Sequence, residues 1–105
     1  MAAAHESTLV CDGDSDAINR HITEGVVILT REHSEFRIEQ EEPGRVVLKV
    51  RVNWLSWGER VTVQAEPRSI RIVSECSFPL QVIDWGKNRE NVEIVRSAIL
   101  RAAQR

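Results

Sequence analysis

Apolar and polar residues alternate through the middle of the chain with the two-residue period of a β-strand. The clearest run is 45–55, where one face carries Val46, Leu48, Val50, Val52 and Trp54. The same alternation recurs over 35–40, 60–66 and 70–76, and the β-branched run 26–30 is also typical of a strand. Because short turns join strands with one apolar and one charged face, we expect a single antiparallel sheet that faces water on one side.

Helical periodicity appears near both ends of the sequence. The first helix is predicted over 15–24, with Gly25 as the residue that ends it. The second follows Gly86 and Lys87, with Asn88 as its N-cap, and carries an apolar stripe of Val92, Val95, Ile99 and Ala102. With a first strand over 7–11, the prediction is an α+β domain. It has a single antiparallel sheet of about five or six strands, with a short N-terminal and a long C-terminal helix packed on one face.

Length and charge limit the classes of protein that are possible. The 105 residues make one domain, 1–105, in which residues 1–6 read as a loose leader. The formal net charge of −2 lacks the basic excess of nucleic-acid-binding proteins and does not indicate a membrane-surface protein. Residues 1–5 lack the apolar core of a signal peptide, so we expect a cytoplasmic protein.

The residues that most often carry chemistry are few and scattered. Cys11 and Cys76 are outside any CxxC motif, which favours two buried, reduced thiols over a disulfide. His5, His21 and His33 are expected to be structural or surface residues, and no glycine-rich phosphate loop is present. The sequence therefore predicts no catalytic residue, no metal site and no cofactor.

Two tryptophan-containing segments stand out. Residues 54–59 and 81–88 each contain Trp-Gly, and together they hold all three tryptophans. In one interpretation, Trp54 is core, Trp57 covers the sheet rim and Trp85 packs at the start of the last helix. In the other, a cleft between sheet and helix binds a ligand. The candidate ligand-binding residues are Trp57, Glu59, Gln81, Asp84, Trp85, Lys87 and Asn88.

Residues 74–88, followed by a helix, resemble the C-terminal half of small bacterial domains of unknown function. In those domains a Ser-bearing strand leads to an Asp-x-Gly-x-Asn turn and a closing helix, and Ser56-Trp57-Gly58-Glu59 also fits the group. The resemblance covers about residues 45–100. The predicted order of elements, β-α-β(5)-α, is similar to the helix-grip arrangement of lipid- and ligand-binding START-like domains within the TBP-like architecture. The resemblance implies a fold and is silent on activity.

Three functions follow as hypotheses. The first is a non-enzymatic binding domain for a small apolar or aromatic molecule between the sheet and the last helix. The second is a protein–protein interaction module or homo-oligomer that uses an exposed strand edge or the charged sheet face. The third is a small enzyme that uses Asp84, Lys87 or a histidine.

Overall fold

The computed structural model describes residues 4–51, 58–76 and 86–104. Two helices and five strands are present in these ranges. In chain order they are β1 (Ala4–Val10), α1 (Ser15–Glu32), β2 (Phe36–Glu42), β3 (Arg45–Val50), β4 (Glu59–Glu66), β5 (Ser69–Cys76) and α2 (Lys87–Ala103). The predicted α+β class and antiparallel sheet are confirmed.

The five strands form one antiparallel sheet in the order β1-β5-β4-β3-β2. Successive strands from β2 to β5 are neighbours, whereas β1 crosses over to pair with β5. Among the described residues, β1 and β2 are therefore the two edge strands of the sheet. Two-residue turns, at 43–44 and 67–68, close the hairpins β2–β3 and β4–β5.

Both helices pack on one face of the sheet, and this inner face holds the core. α2 lies over β1 and β5, α1 lies over β4 and β2, and the helices also pack against each other. The predicted inward positions of β3 to β5 are confirmed, since the apolar ones are almost fully buried: Val46, Leu48, Val50, Val61, Val63, Ile70 and Ile72. Ile38 of β2 shares this face, opposite Leu48 of β3, but is 42% exposed because it lies on the edge strand.

The prediction that residues 26–30 form a strand is wrong, because α1 continues through them to Glu32. Ile18, Ile22, Val26 and Leu29 are buried along one side of this helix at the spacing of an amphipathic α-helix. Only four strands therefore follow α1 in the described ranges, not five. Tertiary packing of this apolar face outweighs the β-propensity of the run Val26-Val27-Ile28.

Gly25 does not end α1 but lies inside it, where α1 closely approaches Ile99 of α2. A methyl group built on Gly25 would lie 2.8 Å from Ile99 Cγ1 and 2.9 Å from Ile99 Cα in α2. Such distances are well inside van der Waals contact. Glycine is therefore required here by the neighbouring backbone of α2 and not by a turn.

The chain also departs from prediction at its start. β1 begins at Ala4, so residues 4–6, predicted as part of a loose leader, are paired with β5.

The strand predicted over 45–55 is described only in part. β3 ends at Val50, and Val52 and Trp54 lie outside the described residues. α1 begins after Asp14, whose side chain accepts a hydrogen bond from the Ala17 amide at 2.9 Å.

In the β4–β5 turn, the backbone of Arg68 is strained, and a glycine would relieve that strain. Proline fixes φ of Pro67 near its usual negative value, whereas Arg68 has φ of 59°, the left-handed conformation that a type II turn gives to glycine. The equivalent β2–β3 turn has Gly44 at this position, with φ of 81°. Arg68→Gly should therefore stabilise the domain by about 0.5 kcal/mol, since relief of strain exceeds the extra entropy of an unfolded glycine. Urea unfolding measures this, and Arg68→Ala, which keeps the strain, should show no gain.

Candidate functional site

Four polar residues are buried between the sheet and the start of α2. They are Glu59, Ser74, Asn88 and Asn91, and each is at most 3% exposed. β4 supplies the first, β5 the second, and the first two turns of α2 supply the two asparagines. We call these four residues the polar cluster. Buried polar groups stay stable only if their hydrogen bonds are satisfied, so each contact matters.

Three hydrogen bonds connect the polar cluster. Ser74 Oγ donates to Asn88 Oδ1 at 2.8 Å, and Asn91 Nδ2 lies 2.9 Å from Glu59 Oε1 and 3.3 Å from Ser74 Oγ. Asn88 Nδ2 also donates to Cys76 Sγ at 3.5 Å. The amide group of Asn91 thus turns its nitrogen, which donates, toward the oxygen acceptors of Glu59 and Ser74.

That orientation leaves the amide oxygen of Asn91 without a partner among the described residues. Asn91 is fully buried, and its Oδ1 has no hydrogen-bond partner among the described residues. Leaving a buried carbonyl oxygen unpaired costs about 1–3 kcal/mol. A donor group that reached Asn91 Oδ1 would therefore be stabilised.

The structure brings together two of the seven predicted ligand-binding residues. Glu59 and Asn88 are both in the polar cluster, linked through Ser74 and Asn91. Lys87 is the first residue of α2 and is partly exposed. The remaining predicted residues lie outside the described ranges: Trp57, Gln81, Asp84 and Trp85.

Asn88 has a different role from the one predicted. Gly86, with φ of 79°, is the N-cap of α2 and makes no side-chain capping bond. Asn88 is the second helical residue, and its side chain points into the polar cluster instead of capping the helix. Its burial follows because it shares the helix side of Asn91 and Val92, at spacings of three and four residues.

Ser74 and Asn91 were not among the predicted site residues. Ser74 occupies an inward position on β5 between Ile72 and Cys76, and a hydroxyl on an otherwise apolar strand face is the signal that indicates a polar contact. Asn91 lies next to Val92 on the buried side of α2. Both positions can be read from the periodicity, but their partners depend on the sheet register.

The histidines are dispersed over the fold. His5, predicted in the leader, lies on β1 directly opposite Ser74. His21 is part of α1, and its Nδ1 is buried without a hydrogen-bond partner in the described part of the chain. His33 follows α1 and its Nδ1 lies 3.3 Å from Glu35 Oε1.

Both cysteines are buried thiols that are not joined in a disulfide, as predicted. Cys11 follows β1 and Cys76 ends β5, which places them at opposite ends of an antiparallel pair, about 20 Å or more apart. A disulfide requires Cα atoms within about 7 Å. Burial, with a smaller contribution from Asp12, raises the pKa of the Cys11 thiol, which disfavours its reactive thiolate form.

Within the polar cluster, Ser74 is hydrogen-bonded to neutral amide groups. The Ser74 hydroxyl donates to an amide oxygen, which cannot act as a general base. Within residues 4–51, 58–76 and 86–104, no group of three His, Cys, Asp or Glu side chains could hold a metal ion. Among these same residues, no helix combines the length and apolar character needed to cross a bilayer.

The opposite, outer face of the sheet carries the predicted mixture of charges. Arg60 forms a two-pronged ion pair with Glu39 at 3.0 and 3.1 Å, and Arg71 Nε lies 2.6 Å from Glu6 Oε1. These pairs are largely solvated, so each contributes little to stability. The outer face therefore presents paired charges rather than a basic surface for phosphate.

Comparison with known proteins finds a likeness among the solved structures. No family model and no curated protein sequence matches this chain. Among solved structures, the chain is similar to TTHA0849 from Thermus thermophilus, with 12% identity and a TM-score of 0.42. The alignment covers 99% of this chain and 97% of that one.

Proposed function

We propose that this chain is a non-enzymatic binding domain for a small, mainly apolar or aromatic molecule that carries one hydrogen-bond donor. Its binding site is the end of the gap between the sheet and α2, at the polar cluster. The observation that carries the proposal is the fully buried Asn91, whose Oδ1 lacks a donor among the described residues.

The Asn91 Oδ1 acceptor, which lacks a partner among the described residues, favours this end of the gap over its apolar centre. Side chains from the sheet and helices fill the middle of the gap, where Val63, Ile72 and Ile99 are fully buried. A ligand there would have to displace close-packed apolar groups, which is costly. At the polar cluster, by contrast, a ligand donor would satisfy a buried acceptor and recover the cost of leaving it unpaired.

The chain also supplies aromatic residues next to this end in sequence. Residues 52–57, with Trp54 and Trp57, precede Gly58 and Glu59, and residues 77–85, with Trp85, precede Gly86 and α2. Tryptophan binds aromatic molecules by stacking, and a few polar groups fix their orientation. Trp57, Gln81, Asp84 and Trp85 thus remain proposed ligand contacts from the sequence.

Matched pairs of probes test the donor requirement. Indole, phenol and aniline each carry a donor, and N-methylindole, anisole and N,N-dimethylaniline are their methylated counterparts without one. A ligand at about ten times its Kd stabilises the folded state by about 1.4 kcal/mol, or about 5–10 °C in Tm for a domain of this size. We expect at least one donor probe to raise Tm, and its methylated counterpart to have a much smaller effect.

Two variants of α2 distinguish recognition from general stability. Asn91→Ala should lower Tm and also abolish the preference for the donor probe, whereas Val92→Ala should lower Tm and keep that preference. Equal shifts with both members of every pair, or no shift with any probe, would contradict the proposal. Native mass spectrometry of freshly purified protein adds a direct search for a bound molecule.

A further inference from the structure

The two edges of the sheet differ in how well they are protected against strand pairing. β2 has a bulge between Ile38 and Gln40 that interrupts its register with β3. Its second half carries the exposed carboxylates Glu41 and Glu42. Bulges and charged side chains are the usual means by which a sheet edge avoids pairing with another chain.

β1 lacks this protection. Its seven residues pair with β5 in unbroken register from Ala4 to Val10. Its one charged side chain, Glu6, is already held by Arg71. Val10 is 78% exposed, the largest exposure among the exposed large hydrophobic residues of the described chain.

The hydrogen-bond pattern shows which backbone groups of β1 face outward. The Cys11 amide donates to the Arg68 carbonyl at 3.0 Å, in continuation of the β1–β5 register. Because successive residues of a strand direct their backbone groups to opposite sides, odd-numbered residues of β1 bond to β5. The even-numbered residues direct their N–H and C=O groups away from the sheet: Ala4, Glu6, Thr8 and Val10. In the described ranges, no strand pairs with this edge.

We propose that β1 pairs antiparallel with β1 of a second copy of this chain, joining two sheets into one across a two-fold axis. The favoured register places Ser7 opposite Ser7 of the second copy. Glu6 then faces Thr8, and Ala4 faces Val10, so that every outward backbone group of the strand finds a partner.

The charge pattern of β1 supports a second copy as the partner. With Ser7 at the two-fold axis, the carboxylate of Glu6 lies opposite a neutral threonine, and no like charges face each other across the strands. A different register, with Glu6 at the two-fold axis, would place the carboxylates of the two Glu6 residues opposite each other. The strand is therefore self-complementary in one register, as a two-fold interface requires.

The size of the contact sets the expected affinity. A seven-residue strand is about 23 Å long, and its edge alone buries less than the roughly 1,200 Å² of a stable interface. The dimer should therefore dissociate on dilution, with Kd in the micromolar range. The dimer is therefore expected to be populated only at high protein concentration.

Sedimentation velocity from about 5 to about 500 µM protein tests the pairing, in the concentration range where such a Kd is resolved. Wild type and Thr8→Ala should shift from monomer to dimer as concentration rises. Thr8→Pro should stay monomeric, because proline removes an outward N–H, yet should remain folded, because that N–H makes no bond to β5. Circular dichroism confirms the fold of each variant. A wild type that remains monomeric throughout, or a Thr8→Pro variant that dimerises like wild type, overturns the proposal.

Cross-linking tests the register itself. Opposed residues at a non-hydrogen-bonded antiparallel position have Cα atoms about 4.5 Å apart, which suits a disulfide. Ser7→Cys should give a covalent dimer under mild oxidation faster than Thr8→Cys, whose thiols lie two positions apart. The native cysteines do not interfere, since both are buried. Equal or reversed rates would overturn the Ser7-centred register.

Discussion

Gly25→Leu is expected to destabilise the domain by more than about 3 kcal/mol, the largest effect of any single substitution considered. A side chain at this position meets the backbone of α2, because Ile99 Cα would lie 2.9 Å from the new Cβ. A flexible side chain can rotate away from such a clash, but a helix backbone cannot. The helices must therefore separate, which loses buried apolar contacts along both of them. Urea denaturation measures the change in the free energy of unfolding.

Smaller substitutions separate the clash from helix propensity. Alanine is the better helix former by about 1 kcal/mol, so propensity alone predicts that Gly25→Ala stabilises α1. We expect instead a net loss of about 1–2 kcal/mol, because the added methyl group already overlaps Ile99. Val27→Ala, on the exposed side of the same helix, should stay within about 0.5 kcal/mol of wild type. A stabilised Gly25→Ala protein would show that the helices yield easily at this point.

The same glycine accounts for the main error in predicting the fold. In sequence, Gly25 before a β-branched run indicates the end of a helix and the start of a strand. Its actual role depends on Ile99, which lies 74 positions later in the chain and touches it only after folding. Without that distant contact, the sequence favours a strand at 26–30. The helical spacing of Ile18, Ile22, Val26 and Leu29 was the competing signal.

The sheet was easier to predict because its signal is local. In β3, β4 and β5, the alternation of apolar and polar residues predicts which face is buried. The structure confirms that the apolar residues of that face are buried. β1 and β2 are edges, with one neighbouring strand each, so their burial patterns are weaker and their limits were predicted less well. The crossover that puts β1 beside β5 has no signature in the short-range pattern.

The candidate site was predictable in part. Glu59 and Asn88 were identified because they belong to the tryptophan-containing segments, and the structure links them through Ser74 and Asn91. The link itself depends on β4–β5 register, which sets Glu59 opposite Cys76, and on the rotation of α2 over the sheet. Neither quantity can be derived from the spacing of residues in the sequence.

Loss of the contact between Glu59 and Asn91 should have the second largest effect on the free energy of unfolding. Both side chains are buried, and the 2.9 Å bond joins an amide donor to a carboxylate. Asn91→Ala removes that donor from a buried carboxylate, which is expected to cost about 3 kcal/mol. Glu59→Ala removes the acceptor and leaves the Asn91 amide nitrogen with Ser74 alone in the polar cluster, at a cost of about 2–3 kcal/mol.

A double-mutant cycle isolates this interaction from the effect of each residue alone. If the bond joins the two residues energetically, the Glu59→Ala/Asn91→Ala protein should be more stable than the sum of the single losses predicts, by at least about 1.5 kcal/mol. Pairing Asn91→Ala with Val46→Ala, on β3, provides the additive control. Additivity in both cycles would mean that Glu59 draws its stabilisation from groups other than Asn91. The Asn91 amide would then be free to rotate. Its oxygen would no longer be held in one orientation to accept a hydrogen bond from a ligand.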